Sequence, residues 1–345
     1  MSSRFARFAA ATLLVALAAC SASTPVGTSA PASGVQSLTL PSGEHVIRAG
    51  AQTFRFGGPR RHSAALRGWI APGMKSKALL YGSSYDGGFV NIYSQKGSGQ
   101  SPIGQLTSNL VSPQGMAVDK HHQLWVANTN AFNVIAFKRG TTTPSATLSD
   151  PNYYPISVAV DSHDTVYAAN AESTTGPPGN VTYWKKGSSN PSGTLTLPSF
   201  LIVLGIGVDG KNNVYVSYIP TSGPPAVAVF AAKTLSGSQL PISNTTISQI
   251  TFDSSGNLLM EDIYNQLGIW PAPYNGGPSK SLQIFGNSPT LNKAENEVWI
   301  AYANYSFPKI EGYSYPGGAL MDTITNGFTM TAIPFDVALD PLGKK

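Results

Sequence analysis

Glu261 and Asp262 are adjacent carboxylates in a chain of 345 residues of which only 11% are charged. Both acids come from one segment, and no firm cofactor is expected from the pair alone. His121, His122 and His163 follow closely on Asp119 and Asp161, while His45 and His62 lie in the N-terminal part. The chain has no Gly-x-Ser-x-Gly elbow, His-Glu-x-x-His pair or phosphate-binding loop. No residue is therefore assigned a catalytic role, and the chain reads as a binding protein before an enzyme.

The elements that must position these residues repeat. Met116-Ala117-Val118-Asp119 leads to Leu124-Trp125-Val126, and Val158-Ala159-Val160-Asp161 leads to Val166-Tyr167-Ala168. Ile206-Gly207-Val208-Asp209 and Ile250-Thr251-Phe252-Asp253 lead in the same way to Val214-Tyr215-Val216 and Leu258-Leu259-Met260. Each Asp begins a tight turn, where its carboxylate can accept backbone N–H groups two residues on, so these aspartates read as structural. A second motif follows: Val90/Tyr93, Val134/Phe137, Val181/Trp184, Val227/Phe230, Leu267/Trp270 and Ile310/Tyr313, with the aromatics 44, 47, 46, 40 and 43 residues apart. Positions i and i+3 point to opposite faces of a strand, so each unit offers apolar contact to both neighbours. Repeats of this length built from short strands predict an all-β fold, a six-bladed β-propeller of four-stranded blades. The first repeat lacks its Asp-bearing strand, and Phe335-Asp336-Val337-Ala338-Leu339-Asp340 supplies one at the far end. The C-terminal strand is expected to complete the first blade and close the ring. The last repeat is degenerate, with Asn292 in the Asp slot.

The 35 glycines and 26 prolines suit a fold rich in turns. The propeller is assigned to residues 63–345, and residues 20–62 to a flexible Ser/Thr/Pro/Ala-rich tether and basic lead-in. Residues 1–19 read as a signal peptide: Arg4 and Arg7 precede the short apolar stretch Phe8 to Leu17, which ends in Ala18-Ala19-Cys20. This ending resembles the bacterial lipobox, and Cys20 is the only cysteine. The resemblance implies lipidation of Cys20, export and anchoring to the cell envelope, at the outer membrane in a Gram-negative host because Ser21 follows. Without a second cysteine no intrachain disulfide forms, so the exported fold depends on packing. The net charge is +5, but export and the absence of a nucleic-acid motif argue against nucleic acid as a partner. A monomer is expected.

In a propeller the first strands line a central channel, and the loops between second and third strands gather at one mouth. Ser84, Asn128, Asn170, Tyr218, Asp262 and Tyr302 share that position and differ in type. Such a ring is a candidate ligand site for protein or glycan. The runs Gly115-Met116-Ala117-Val118-Asp119 to Leu124-Trp125-Val126-Ala127-Asn128, then Asn133-Val134-Ile135-Ala136-Phe137, resemble NHL-type propeller repeats, a group that includes gluconolactonase-like and YVTN-like forms. The resemblance implies a binding or scaffolding module for protein or glycan. Its gluconolactonase-like branch implies the alternative, a divalent-metal-dependent hydrolase in which Glu261 or Asp262 with Asn128 and Asn170 would offer hard oxygen ligands suited to Ca²⁺, a weak site because both acids belong to one repeat.

Overall fold

The repeated aspartates build the turns that their spacing predicts. Asp119 Oδ1 accepts the N–H groups of His121 and Gln123 at 2.8 and 2.9 Å. Asp161 does the same for His163 and Thr165, and Asp209 for Lys211 and Asn213, all at 2.8 Å. Each turn reverses the chain between two strands. Pro113–Val118 and Gln123–Asn128 are followed by Asn133–Lys138 and Pro144–Ser149, which makes one antiparallel four-stranded sheet in sequence order.

The computed structural model of the protein describes residues 35–49, 52–59, 67–303 and 305–341. Among them the fold is all-β, with seven antiparallel sheets. We number the larger ones in chain order. Sheet 1 carries Leu79–Ser84, Phe89–Ser94 and Gly104–Leu106, with Trp69–Ile70 on one edge and the C-terminal Val337–Asp340 on the other. Sheets 2 to 6 span residues 113–149, 153–195, 200–239, 251–282 and 287–324. Ala338 lies opposite Tyr81 and Leu339 opposite Leu80, so the two ends of the repeat region share one sheet.

The apolar pattern sets how the sheets stack. Trp184 is buried against sheet 2 in a core with Trp125, Val134 and Leu148. Val181, three residues earlier, faces the other way and joins Phe230, Val216 and Ile206 of sheet 4. The same split places Phe137 between sheets 1 and 2, Trp270 between 4 and 5, and Leu267 between 5 and 6. Tyr93, Trp299, Ile310 and Val337 fill the core between sheets 6 and 1, which completes a cycle.

The remaining sheet differs from expectation. Val35–Thr39, Glu44–Ala49 and Gln52–Gly57 form a three-stranded antiparallel sheet inside the segment read as tether and lead-in, so seven sheets are present where six were expected. The physical reason is local. Gly43 takes φ +77° in the first hairpin turn, and Phe54 and Phe56 alternate onto one buried face.

Candidate functional site

The N-terminal sheet sits over one end of the ring, where chain segments lead into the first strands. Ile47, Phe54 and Phe56 pack on Ile156, Ala171, Ile202, Leu204, Ile247 and Phe335. Phe54 meets the Phe335 ring edge-on with centroids 5.9 Å apart, and Phe56 lies 5.5 Å from Tyr154. Polar ties fix the seat. Asn130 clamps Gly57 from both sides: its Oδ1 accepts the Gly57 N–H at 3.0 Å, and its Nδ2 donates to the Gly57 carbonyl at 3.1 Å. Gln114 Nε2 donates to the Arg55 carbonyl at 2.6 Å. The Arg55 guanidinium bonds Glu44 Oε2 at 2.6 Å, both Asp86 oxygens at 2.8 and 2.9 Å, and the Tyr305 hydroxyl at 2.6 Å. His45 Nδ1 lies 3.0 Å from Glu172 Oε1, and this bond raises the His45 pKa above its ordinary value against the opposing effect of burial. The sheet is thus held to sheets 1, 2, 3 and 6. The charge of Arg55, read from the sequence as part of a basic lead-in, is spent inside the protein.

The predicted ring residues lie at this capped end. Ser84, Asn128, Asn170, Tyr218 and Asp262 are buried and Tyr302 is half-buried. Ser84 Oγ accepts the Gly87 N–H at 3.1 Å. Asn128 Oδ1 accepts the Val111 N–H at 2.5 Å, and its Nδ2 donates to Asn109 O and Asn133 Oδ1, both at 2.9 Å. Asn170 Nδ2 donates to Asn180 Oδ1 and Thr182 Oγ1 at 2.8 and 2.9 Å. The Tyr218 hydroxyl lies 3.0 Å from Gln239 Oε1. Asp262 Oδ1 accepts the N–H groups of Tyr264 and Gln266 at 2.8 and 3.0 Å, and its Oδ2 takes the Ser281 hydroxyl at 2.5 Å. The Lys309 ammonium sits 4.9 Å above the Tyr302 ring. These bonds tie strand ends together. Asn128, Asn170 and the Glu261-Asp262 pair stand on sheets 2, 3 and 5. Among the described residues no three His, Cys, Asp or Glu side chains gather as a metal-binding group. Cys20 and the signal segment lie outside the described residues.

Beyond the cap the first strands enclose a cavity of about 420 Å³ at the opposite end, walled by residues such as Val118, Val160, Val208, Ile250 and Leu339, with Gln249, Thr251, Asp253, Ser254, Thr290 and Glu295 as its polar members. Asp336 is fully buried next to these strands and does not line the cavity. Its oxygens accept the N–H groups of Met116 and, at 2.7 Å, Val337, and burial pushes its carboxyl up to about 7 against these bonds. It joins strands of sheets 1 and 2 and meets no solvent. The residues that sequence reasoning missed are those of the cap seat: Glu44, Arg55, Asp86, Asn130 and Tyr305. The one visible signal was the alternation Phe54-Arg55-Phe56.

No family model and no curated protein matches the chain. Among solved structures, a chain from the crystal structure of a nidogen/laminin complex is similar at TM-score 0.61 and 12% identity, covering 77% of this chain and 99% of that one. A protein of unknown function from Bacteroides caccae is similar at TM-score 0.57 and 10% identity, covering 76% and 99%. Likeness at this identity shows the fold alone, and the fold is a β-propeller.

Proposed function

We propose that the chain is a six-bladed β-propeller of the NHL type that serves as a binding module. Sheets 1 to 6 are its blades, and the N-terminal sheet is a cap. In this reading the protein is exported, anchored to the cell envelope by lipid on Cys20, and engages a protein partner at the capped end. One observation carries it: the chain's own Phe54 and Phe56 fill the channel mouth, and what that end still offers lies outside the channel, including a groove of about 440 Å³ lined by Arg48, Thr53, Ala303 and Tyr305 beside the cap. Around the cap the loops of sheets 5 and 6 expose Ile263, Tyr264, Phe285, Tyr305 and Phe307. Aromatic and aliphatic side chains at loop tips are what protein interfaces use as anchors. The likeness to a chain of a nidogen/laminin complex is compatible with a propeller that works by binding protein.

The test is site-specific photo-crosslinking on intact cells. A crosslinker at Tyr264 or Phe285 should trap a discrete partner, and one at His163, at the other end, should not. Equal labelling from both ends, or no adduct from either capped-end site, would sink the proposal. Anchoring is read separately, by incorporation of labelled palmitate into the wild type and its loss in Cys20→Ala.

A further inference from the structure

At the end opposite the cap, the first-turn loops of neighbouring sheets touch in a repeated way. The fourth residue of each turn adopts a left-handed backbone, as in Asp164 (φ 65°) and Asn212 (φ 64°), and its side chain leans over the turn of the preceding sheet. Asp164 does so with a carboxylate. It binds Lys120 at 3.1 Å, His121 at 3.2 Å and Lys186 at 2.7 Å. The Lys186 bond, helped by Lys120 and His121 and opposed by burial, holds Asp164 well below the usual carboxylate range. In the next sheet the equivalent residue is the uncharged Asn212, whose Oδ1 accepts only the Ser162 N–H, at 2.9 Å.

The clefts under these two residues correspond position for position and differ in size. The cleft between sheets 2 and 3 has Trp125 and Trp184 as walls and a volume of about 220 Å³. The cleft between sheets 3 and 4 has Tyr167 and Phe230 in those places and opens to about 530 Å³. That volume is ordinary for a small-molecule site. The Tyr167 and Tyr183 rings, 6.0 Å apart, make an aromatic wall, and the Tyr183 hydroxyl forms no hydrogen bond among the described residues. His163, Lys185 and Lys233 stand at the rim, and neither lysine has a carboxylate partner among the described residues. The one lining carboxylate, Asp161, is spent on the N–H groups of His163 and Thr165 and on the Tyr167 hydroxyl. The wider cleft keeps only the histidine of the cluster around Asp164, with Ser162 and Ala232 where Lys120 and Lys186 stand; its lysines, Lys185 and Lys233, come from other positions, and it gains room and lacks the built-in anion.

We propose that the cleft between sheets 3 and 4 binds a small amphiphilic anion, an aromatic or short-chain carboxylate. The apolar body lies on Tyr167, Tyr183 and Phe230. The carboxylate lies beside His163 and the uncharged Asn212 amide, with Lys185 and Lys233 at the rim.

The test compares 4-phenylbutyrate with its neutral isostere 4-phenylbutyramide, titrated into the full-length protein and followed by calorimetry or NMR. The acid should bind with a dissociation constant on the order of 1 mM, as fits so small a ligand. It should bind about tenfold more tightly than the amide, the equivalent of about one unshared charge interaction. Asn212→Asp should remove that advantage without lowering the melting temperature, because Asp164 already occupies the same backbone conformation one sheet earlier. Lys185→Met with Lys233→Met should do likewise. Equal affinity for acid and amide, no binding of either at about tenfold the expected constant, or an unchanged acid affinity in Asn212→Asp would each overturn the proposal.

Discussion

Asp150 buries a carboxylate that is only half satisfied. Its Oδ1 accepts the Thr182 hydroxyl at 2.9 Å, while its Oδ2 and the nearby Asn170 Oδ1 receive no donor. Burial pushes its pKa up to about 6, against the pull of Thr182 and Asn170. The folded protein therefore holds this proton more tightly than the unfolded chain does. Stability that is fully present below the unfolded carboxylate's pKa, near 4, is lost as pH rises through about 6. Asp150→Asn keeps an acceptor for Thr182, removes the charge and offers an N–H toward Asn170. It should leave stability nearly unchanged at pH 4 and raise it by roughly 2 kcal/mol at pH 8, read from urea melts at both values. A wild-type-to-variant gap that stays constant across that range would mean Asp150 titrates as an ordinary surface acid. The turn aspartates are the opposite case. Asp119 Oδ1 takes two backbone N–H groups and its Oδ2 takes the Trp125 indole N–H at 2.9 Å. They were legible in the sequence because the donors follow at fixed offsets. The donor of Asp150 lies 32 residues away, where no local pattern points to it.

Strands and sheets were legible to the extent that their pattern repeats. The i and i+3 pairs show both faces of each third strand as apolar, and the structure sends Trp184 one way and Val181 the other. Trp184→Ala removes a fully buried indole from the core between sheets 2 and 3 and should cost about 3–5 kcal/mol. A loss below about 1 kcal/mol in denaturant melts, the size expected of a surface site, would refute the packing assigned to it. The cap was not legible because it is a single copy. Two of its core-facing residues, Phe54 and Phe56, flank an arginine, and the groups that make sense of Arg55 lie at Glu44, Asp86 and Tyr305. The ring residues were recognised as a set, but their partners, such as Val111 for Asn128 and Ser281 for Asp262, could not be read from one-dimensional spacing. The cap also yields a prediction. Arg55→Met leaves Glu44 and Asp86 without their shared cation in a mostly buried place, a change worth about 3–5 kcal/mol. Because the cap is a separate three-stranded sheet that shares no strand pairing with the ring, the effect should appear there as local opening. Amide exchange across Glu44–Ala49 and Gln52–Gly57 should accelerate by roughly 100-fold at 3 kcal/mol, with the sheet 3 amides unchanged. Equal acceleration in both regions would mean that the cap and sheet 3 open as one unit.

At the scale of the molecule, the decisive contact is the one that makes a linear array of sheets into a ring. Val337–Asp340 pairs with Leu79–Gly82, and its side chains serve two different cores. Val337 and Leu339 pack between sheets 6 and 1, while Ala338 packs between sheets 1 and 2. Asp340 adds His122 at 2.5 Å and Arg139 at 2.6 Å, so the same short strand also carries charge pairs to sheet 2. Burying Val337 and Leu339 contributes about 1.5–3 kcal/mol each. Domains are stable by only about 5–15 kcal/mol in all, so losing this strand removes a large share of the total. It also exposes Leu79–Ser84, buried along its whole length, as an open sheet edge of the kind that aggregates. Removing the chain from Val337 onward should therefore abolish the single cooperative thermal transition and produce soluble aggregates by light scattering. Misfolding alone would give the same signal, so a rescue distinguishes ring closure from general damage. A peptide covering residues 335–341, added to the truncated protein during refolding, can pair with the Leu79–Ser84 edge as the missing strand does. It should restore the transition, and a scrambled peptide of the same composition should not. A truncated protein that melts cooperatively without the peptide would show that the six sheets do not depend on the closing strand.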